Sequence, residues 1–404
     1  MYQQRRKKQF SNLRLLQVIA VAGVLLIAVQ WVQAKTEKVL HSFTGGTDGA
    51  NPYAGVVLDK KGNLYGMTPL GGSSYSGTVF KVSPTGTETV LYTFTGGTDG
   101  ANPYGGLVLD QNGNLYGTTS GGGASGLGTV FQLTPTGTET VLHSFSGGSD
   151  GANPYGSLIF DTQGYLCGTT YYGGTSNLGT VFKMTVSGSE TLLYSFTGAD
   201  GAHPLAGVVV DAQNNLYGTT FGGGIGGGGN GAVFEVSSSG AETVLYSFTG
   251  SPDGAQPKAG LILDAQGNLY GTTANGGNSV FGTVFKVTPS GTETVLYSFT
   301  GGGDGSHPDA GLVLDALGNL YGTTSGGGSS NNGTVFRVVP SGAETVLYSF
   351  AGIPDGAYPE GGLALKGKKQ LYGITYYGGT FNQGSAFKIA IPSKALGFVD
   401  KGFD

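Results

Sequence analysis

The sequence predicts an all-β chain folded as a seven-bladed β-propeller, with four antiparallel strands per blade and the ring closed by the N-terminal strand completing the last blade. Three observations lead there. The string Leu-Tyr-Gly recurs with its tyrosine at Tyr65, Tyr116, Tyr217, Tyr270, Tyr321 and Tyr372, and Cys167 stands in for one copy, a period of 50–53 residues. Two further strings end in phenylalanine seven times each, one at Phe43, Phe94, Phe145, Phe196, Phe248, Phe299 and Phe350, the other at Phe80, Phe131, Phe182, Phe234, Phe285, Phe336 and Phe387. Finally, 79 of the 404 residues are glycine, well above the usual share of about 7% and without the every-third-residue spacing of collagen. With 22 tyrosines and 21 phenylalanines against only 11% charged residues, the composition is that of a packed interior rather than a solvated disordered chain.

The first element, 1–34, is a targeting segment. Arg5, Arg6, Lys7, Lys8 and Arg14 form a basic region, an apolar run extends from Val18 to Val29, and Val32-Gln33-Ala34 supplies a small-residue cleavage pattern. The run is shorter than the roughly 20 residues of a membrane span. A signal peptide cleaved after Ala34 is expected, with an uncleaved N-terminal anchor as the alternative. Five of the 20 basic residues fall in this segment and none of the 25 acidic ones do, so 35–404 carries 15 against 25, a net of −10. Such a chain is a poor nucleic-acid binder, because phosphate contacts need lysine and arginine. The single cysteine, Cys167, cannot form an internal disulfide.

One propeller spans 35–394, and a short tail, 395–404, follows it. A representative unit runs from Gly260 to Phe299. Gly260–Asp264 is an apolar strand bounded by glycine, and Ala265-Gln266-Gly267-Asn268 makes a hairpin turn. Leu269–Thr273 is the second strand. A glycine-rich loop leads to the third, Thr283–Val287, and Pro289-Ser290-Gly291 turns the chain into the fourth, Thr294–Phe299. No segment carries a capped 3.6-residue apolar period, so no helix is expected in 35–404. A four-stranded unit of this size cannot bury two faces alone, and radial stacking solves that; an open solenoid is the alternative. The fragment order favours the ring. The chain begins with a lone fourth-type strand, Val39–Phe43, and ends with a third-type strand, Ala386–Ile389. By analogy with other propellers, the apolar first strand lies innermost and the fourth outermost.

Blocks such as Gly113-Asn114-Leu115-Tyr116-Gly117-Thr118-Thr119, then Gly121-Gly122-Gly123 and Gly128-Thr129-Val130-Phe131, resemble the GloVer repeat of exported bacterial choice-of-anchor proteins. The resemblance recurs seven times over nearly all of 35–404. It implies an exported, surface-associated, propeller-like protein without an assigned activity. The tail from Ala395 to Asp404 has no apolar span and no basic terminus, a departure from anchored members that favours release or an N-terminal anchor.

The candidate sites lie in the loops. Asp48, Asp99, Asp150, Asp200, Asp253, Asp304 and Asp355 open an Asp-Gly loop in every repeat, and the expected role is a structural Asx-type turn. Calcium needs six to eight oxygens, and these loops lack a second acid; neither a metal nor a cofactor is expected. Tyr75, Tyr171, Tyr172, Phe221, Phe281, Tyr376, Tyr377 and Phe381 cluster in the glycine-rich loops of the same face. They form platforms suited to stacking on sugar rings or grasping a peptide, or else they cover gaps between blades. Beside the loop proline the residues vary around the ring. Those before it run from Asn51, Asn102 and Asn153 to His203, Gln256, His307 and Tyr358, and those after it from Tyr53, Tyr104 and Tyr155 to Lys258, Asp309 and Glu360. His203, His307, Asp309 and Glu360 join the aromatics as candidate ligand-binding residues. No nucleophile elbow, zinc-protease helix or CxxC pair is present, and no catalytic residue is assigned. A binding or structural module for a glycan or surface protein, acting as a monomer, is the expected function. The alternative is a carbohydrate-active hydrolase or lyase that uses acids at the channel mouth, such as Asp309 with Glu360.

Overall fold

The computed structural model of the chain describes residues 37–392 apart from positions 227 and 368; the leader, 1–34, and the tail, 395–404, lie outside the described residues. Seven four-stranded antiparallel sheets follow one another as the blades of a propeller, with no helix among the described residues. Blade five is typical, with strands Ile262–Leu263, Leu269–Thr273, Thr283–Val287 and Glu293–Ser298 paired in that order. Blade seven takes Ala364–Lys366, Gln370–Thr375 and Ser385–Ala390 from one end of the chain and Glu37–Ser42 from the other. The ring therefore closes by strand pairing, as the fragment order predicts.

The innermost strand is shorter than expected, two residues in blade five instead of five. Near the axis, seven backbones converge and leave little room for a ladder. A Cβ on Gly207 would lie 2.0 Å from the carbonyl oxygen of Ser157 in the neighbouring blade, and one on Gly361 would lie 2.6 Å from that of Ala54. Residues just before the strand thus form a tight rim of blade-to-blade contact, while Leu261 still buries its side chain in the core.

The string Leu-Tyr-Gly-Thr-Thr can be explained residue by residue. Leu269 is buried, and the Tyr270 hydroxyl donates to Asp264 Oδ2 at 3.0 Å, tying the strand to its hairpin. Gly271 leaves space for a ring, since a Cβ there would lie 2.6 Å from Phe285 Cζ. Thr272 Oγ1 donates across the blade boundary to the Ala310 carbonyl at 3.1 Å, and Thr273 Oγ1 meets Thr283 Oγ1 at 2.8 Å within the blade.

Apolar contact between blades is continuous around the ring. The phenylalanine after each fourth strand meets that of the next blade's third strand edge to face. The pairs Phe43–Phe80, Phe94–Phe131, Phe145–Phe182, Phe196–Phe234, Phe248–Phe285, Phe299–Phe336 and Phe350–Phe387 have centroids 4.9–5.4 Å apart. Each such pair contributes about 0.5–1.5 kcal/mol beyond its buried area. A β-bulge in the fourth strand adds a second link. Leu296 is skipped between the pairs Phe285–Val295 and Val284–Tyr297, and its carbonyl oxygen lies where a Cβ on Gly342 of the next blade would come within 2.8 Å.

Candidate functional site

Each loop joining a fourth strand to the next first strand is held by its aspartate. Asp304 accepts from Thr300 N at 2.8 Å, from Thr300 Oγ1 at 2.6 Å and from the Tyr297 hydroxyl at 3.0 Å. Asp99 and Asp253 are held by the corresponding threonine and tyrosine. Where histidine replaces the tyrosine, His41 and His143 approach Asp48 and Asp150 at 3.4 Å. These carboxylates are occupied by the turn. The residue before the proline is left-handed in every copy, at φ of 52–57°. Its side chain commonly fastens to the preceding blade: Asn51, Asn102 and Asn153 donate to the carbonyls of Tyr376, Pro69 and Ser120 at 2.7–3.0 Å. His203 and His307 make the same link through Nδ1, to the carbonyls of Tyr171 and Ala274 at 3.0 and 2.9 Å. The geometry gives both histidines a fastening role.

With that residue fastened and the proline fixing the next φ, the residue after the proline is delivered to the axis. Tyr53, Tyr104, Tyr155, Leu205, Lys258, Asp309 and Glu360, one from each blade, line a cavity of about 600 Å³ at the channel mouth. The ring is divided in two. On one side Tyr53 and Tyr104 stand 5.4 Å apart and Tyr104 and Tyr155 5.6 Å apart, flanked by Tyr376 at 6.2 Å from Tyr53 and Tyr171 at 5.5 Å from Tyr155. On the other, Lys258 Nζ lies 3.0 Å from Asp309 Oδ1, and Ser325 Oγ donates to Asp309 Oδ2 at 2.9 Å. The Asp309 side chain is only 6% exposed. Burial, then the Asp309 carboxylate, pushes the Glu360 carboxyl up to about 7, with Lys258 pulling the other way. Leu205 separates the two arcs on one side, and Glu360 adjoins the tyrosines on the other.

The aromatic candidates from the sequence separate by position. Tyr171 and Tyr376 continue the tyrosine arc, and Tyr376 lines the cavity. Tyr171 also stacks on His203 at 4.6 Å and meets Tyr172 at the same distance edge to face. Tyr75 and Phe381 stand out from the loops at 74% and 54% exposure, and Tyr172 and Tyr377 are also exposed; these four do not line the cavity. Phe281 packs on the core between blades five and six and edges His307 at 6.0 Å, while Phe221 is half-buried. The sequence shows variation at Tyr53, Tyr104, Tyr155 and Lys258 but marks none of them as a site residue. Leu205 and Ser325 carry no signal there, although Leu205 occupies the same post-proline position.

Fold and site together define a seven-bladed propeller with one asymmetric opening at its axis. The Gloeobacter/Verrucomicrobia repeat matches residues 29–230 and 212–399, and the chain belongs to that family, the one its motifs resemble. A search of curated proteins found no match. Among solved structures, the chain is similar to the extracellular domain of a one-component system from B. thetaiotaomicron, at 12% identity and a TM-score of 0.55, covering 87% of this chain and 40% of that one. It is similar to puromycin hydrolase at 13% identity and a TM-score of 0.55, covering 81% and 50%. It is also similar to PorZ, a surface component of the type-IX secretion system of Porphyromonas gingivalis, at 14% and 0.50, covering 83% and 46%. The chain thus spans half or less of these relatives, and at such identities the likeness is one of fold.

Proposed function

We propose that the protein is an exported binding module whose channel mouth takes a saccharide. The observation that carries this reading is the division of the ring: tyrosine rings line one side of a single cavity and Lys258 and Asp309 the other, with Glu360 where the two arcs meet. Aromatic faces stack on the C–H faces of a sugar ring, and charged groups opposite them satisfy its hydroxyls. The exposed aromatics Tyr75, Tyr172, Tyr377 and Phe381 extend the same loop face toward a longer glycan or a surface protein. The basic-then-apolar leader supports export, and an extracellular domain among the similarly folded proteins agrees with it.

A second reading, hydrolysis or elimination on a saccharide, is favoured by one observation: Glu360 has its proton held to near neutrality beside a second carboxylate. A glycan array probed with purified residues 35–404, followed by product analysis of every glycan bound, separates the two. Saturable binding without turnover supports the module, and Tyr104→Ala should then weaken it by about tenfold, the loss expected for one stacked ring. Released products support the hydrolase, and an array without signal refutes both.

A further inference from the structure

A second cavity, of about 240 Å³, lies between blades three and four, and it is lined by Asp161, Cys167, Lys183, Leu193, Asn214 and Leu216 among others. It lies where the repeat places a tyrosine ring. In blades one, two, four, five and six that tyrosine donates its hydroxyl to Oδ2 of the hairpin aspartate at 3.0–3.4 Å. Tyr116, its counterpart in blade two, crosses to blade three and meets Phe160 at 5.3 Å. Blade three has Cys167 instead, in register with Lys183 as Tyr217 is with Glu235 and Tyr270 with Lys286.

The same blade also loses the second donor to that oxygen. The asparagine that binds Oδ2 in blades one, two, four, five and six is Tyr165 here, and Lys183 lies over its ring at 4.9 Å. Asp161 is only 7% exposed; its Oδ1 accepts from Gln163 N at 2.9 Å and Tyr165 N at 2.8 Å, and Oδ2 accepts nothing among the described residues. A carboxylate oxygen without a protein donor therefore faces a hole where its sister blades hold a phenol. The two hairpins are clasped across the hole, since Asn214 Oδ1 accepts from Thr162 N at 3.0 Å and from Thr162 Oγ1 at 2.7 Å.

We propose that this cavity is a binding site for a small phenol, whose hydroxyl donates to Asp161 Oδ2 and whose ring lies along Leu193 and Leu216 in the place of the missing tyrosine side chain. The hole keeps an apolar wall, Leu193 and Leu216, and a carboxylate acceptor, Asp161, the two features that a phenol engages. The site is separate from the channel mouth and shares no lining residue with it.

The test is calorimetric titration of residues 35–404 with phenol and p-cresol, alongside Cys167→Tyr and Cys167→Ala. The expected result is one saturable site of roughly millimolar Kd for the native chain and for Cys167→Ala, and at least about a tenfold loss in Cys167→Tyr, which fills the hole with its own ring. Absence of saturable binding to the native chain, or equal binding by a folded Cys167→Tyr variant, overturns the proposal. If Cys167→Tyr does not fold, a crystal structure with p-cresol decides: a ring beside Cys167 supports the site, and water alone there overturns it.

Discussion

At Gly322 the backbone is not left-handed, so this residue is needed for space alone. A Cβ would lie 2.6 Å from Phe336 Cζ and 2.8 Å from Leu312 Cδ2, both in the core. Gly322→Ala should therefore overpack the boundary between blades and cost about 1–3 kcal/mol, read as a lower denaturant midpoint at unchanged slope. Residues of this kind were readable from the sequence because each repeat spells them again: the tyrosine, glycine and two threonines each make one contact in most blades. The channel ring was harder to read. Its seven positions share a place in the loop but no residue type, so repetition reveals the position and conceals what the side chains do together. Cys167 was legible only as an exception. That its substitution leaves a hole depends on Tyr165 as well, and a comparison of single positions does not join the two.

Among the elements, the strand Glu37–Ser42 has the largest consequence. It pairs along Ser385–Ala390, and Phe43 just beyond it fills the boundary with blade one against Phe80, while Leu40 is buried in the same cluster. With no disulfide at Cys167, these contacts are what close the ring. Deletion of residues 35–45 should lower the Tm sharply, and supplying the segment as a peptide should restore part of it; an unchanged melt would contradict closure by this strand. The order of strand types along the chain made this visible in the sequence. The brevity of the inner strands was not, because Leu261, Ile262 and Leu263 read as a buried strand whether or not their backbones pair. Crowding of seven backbones at an axis appears only in three dimensions.

For the whole molecule, seven glutamates at the starts of the fourth strands form a belt of repeated acid pairs at the blade boundaries. Burial, then the aspartate of a neighbouring loop, raises Glu88, Glu139, Glu190, Glu242, Glu293 and Glu344 to about 7, and Glu37 to about 8. The folded protein keeps these protons up to near neutrality, whereas the unfolded chain loses them at about 4.5, the ordinary value. Between those limits the folded state binds more protons, so their stabilisation is complete below the lower value and is lost as pH rises through the upper one. His41, lowered by burial, acts in the opposite direction but is a single group. The Tm at pH 5 should exceed that at pH 8, and glutamine at all seven positions should flatten the profile; a Tm that rises from pH 5 to pH 8 would refute the assignment. One further property follows from the pairing of Glu37 with Ile389, which brings the entering and leaving chain side by side on the last blade. Tension between the flanking segments would open that single ladder as a zipper opens, one rung at a time. Apart from the packing of Leu40 and Phe43 on blade one, the other blades would bear none of the load, so the mechanical strength of the molecule is set at this one closure.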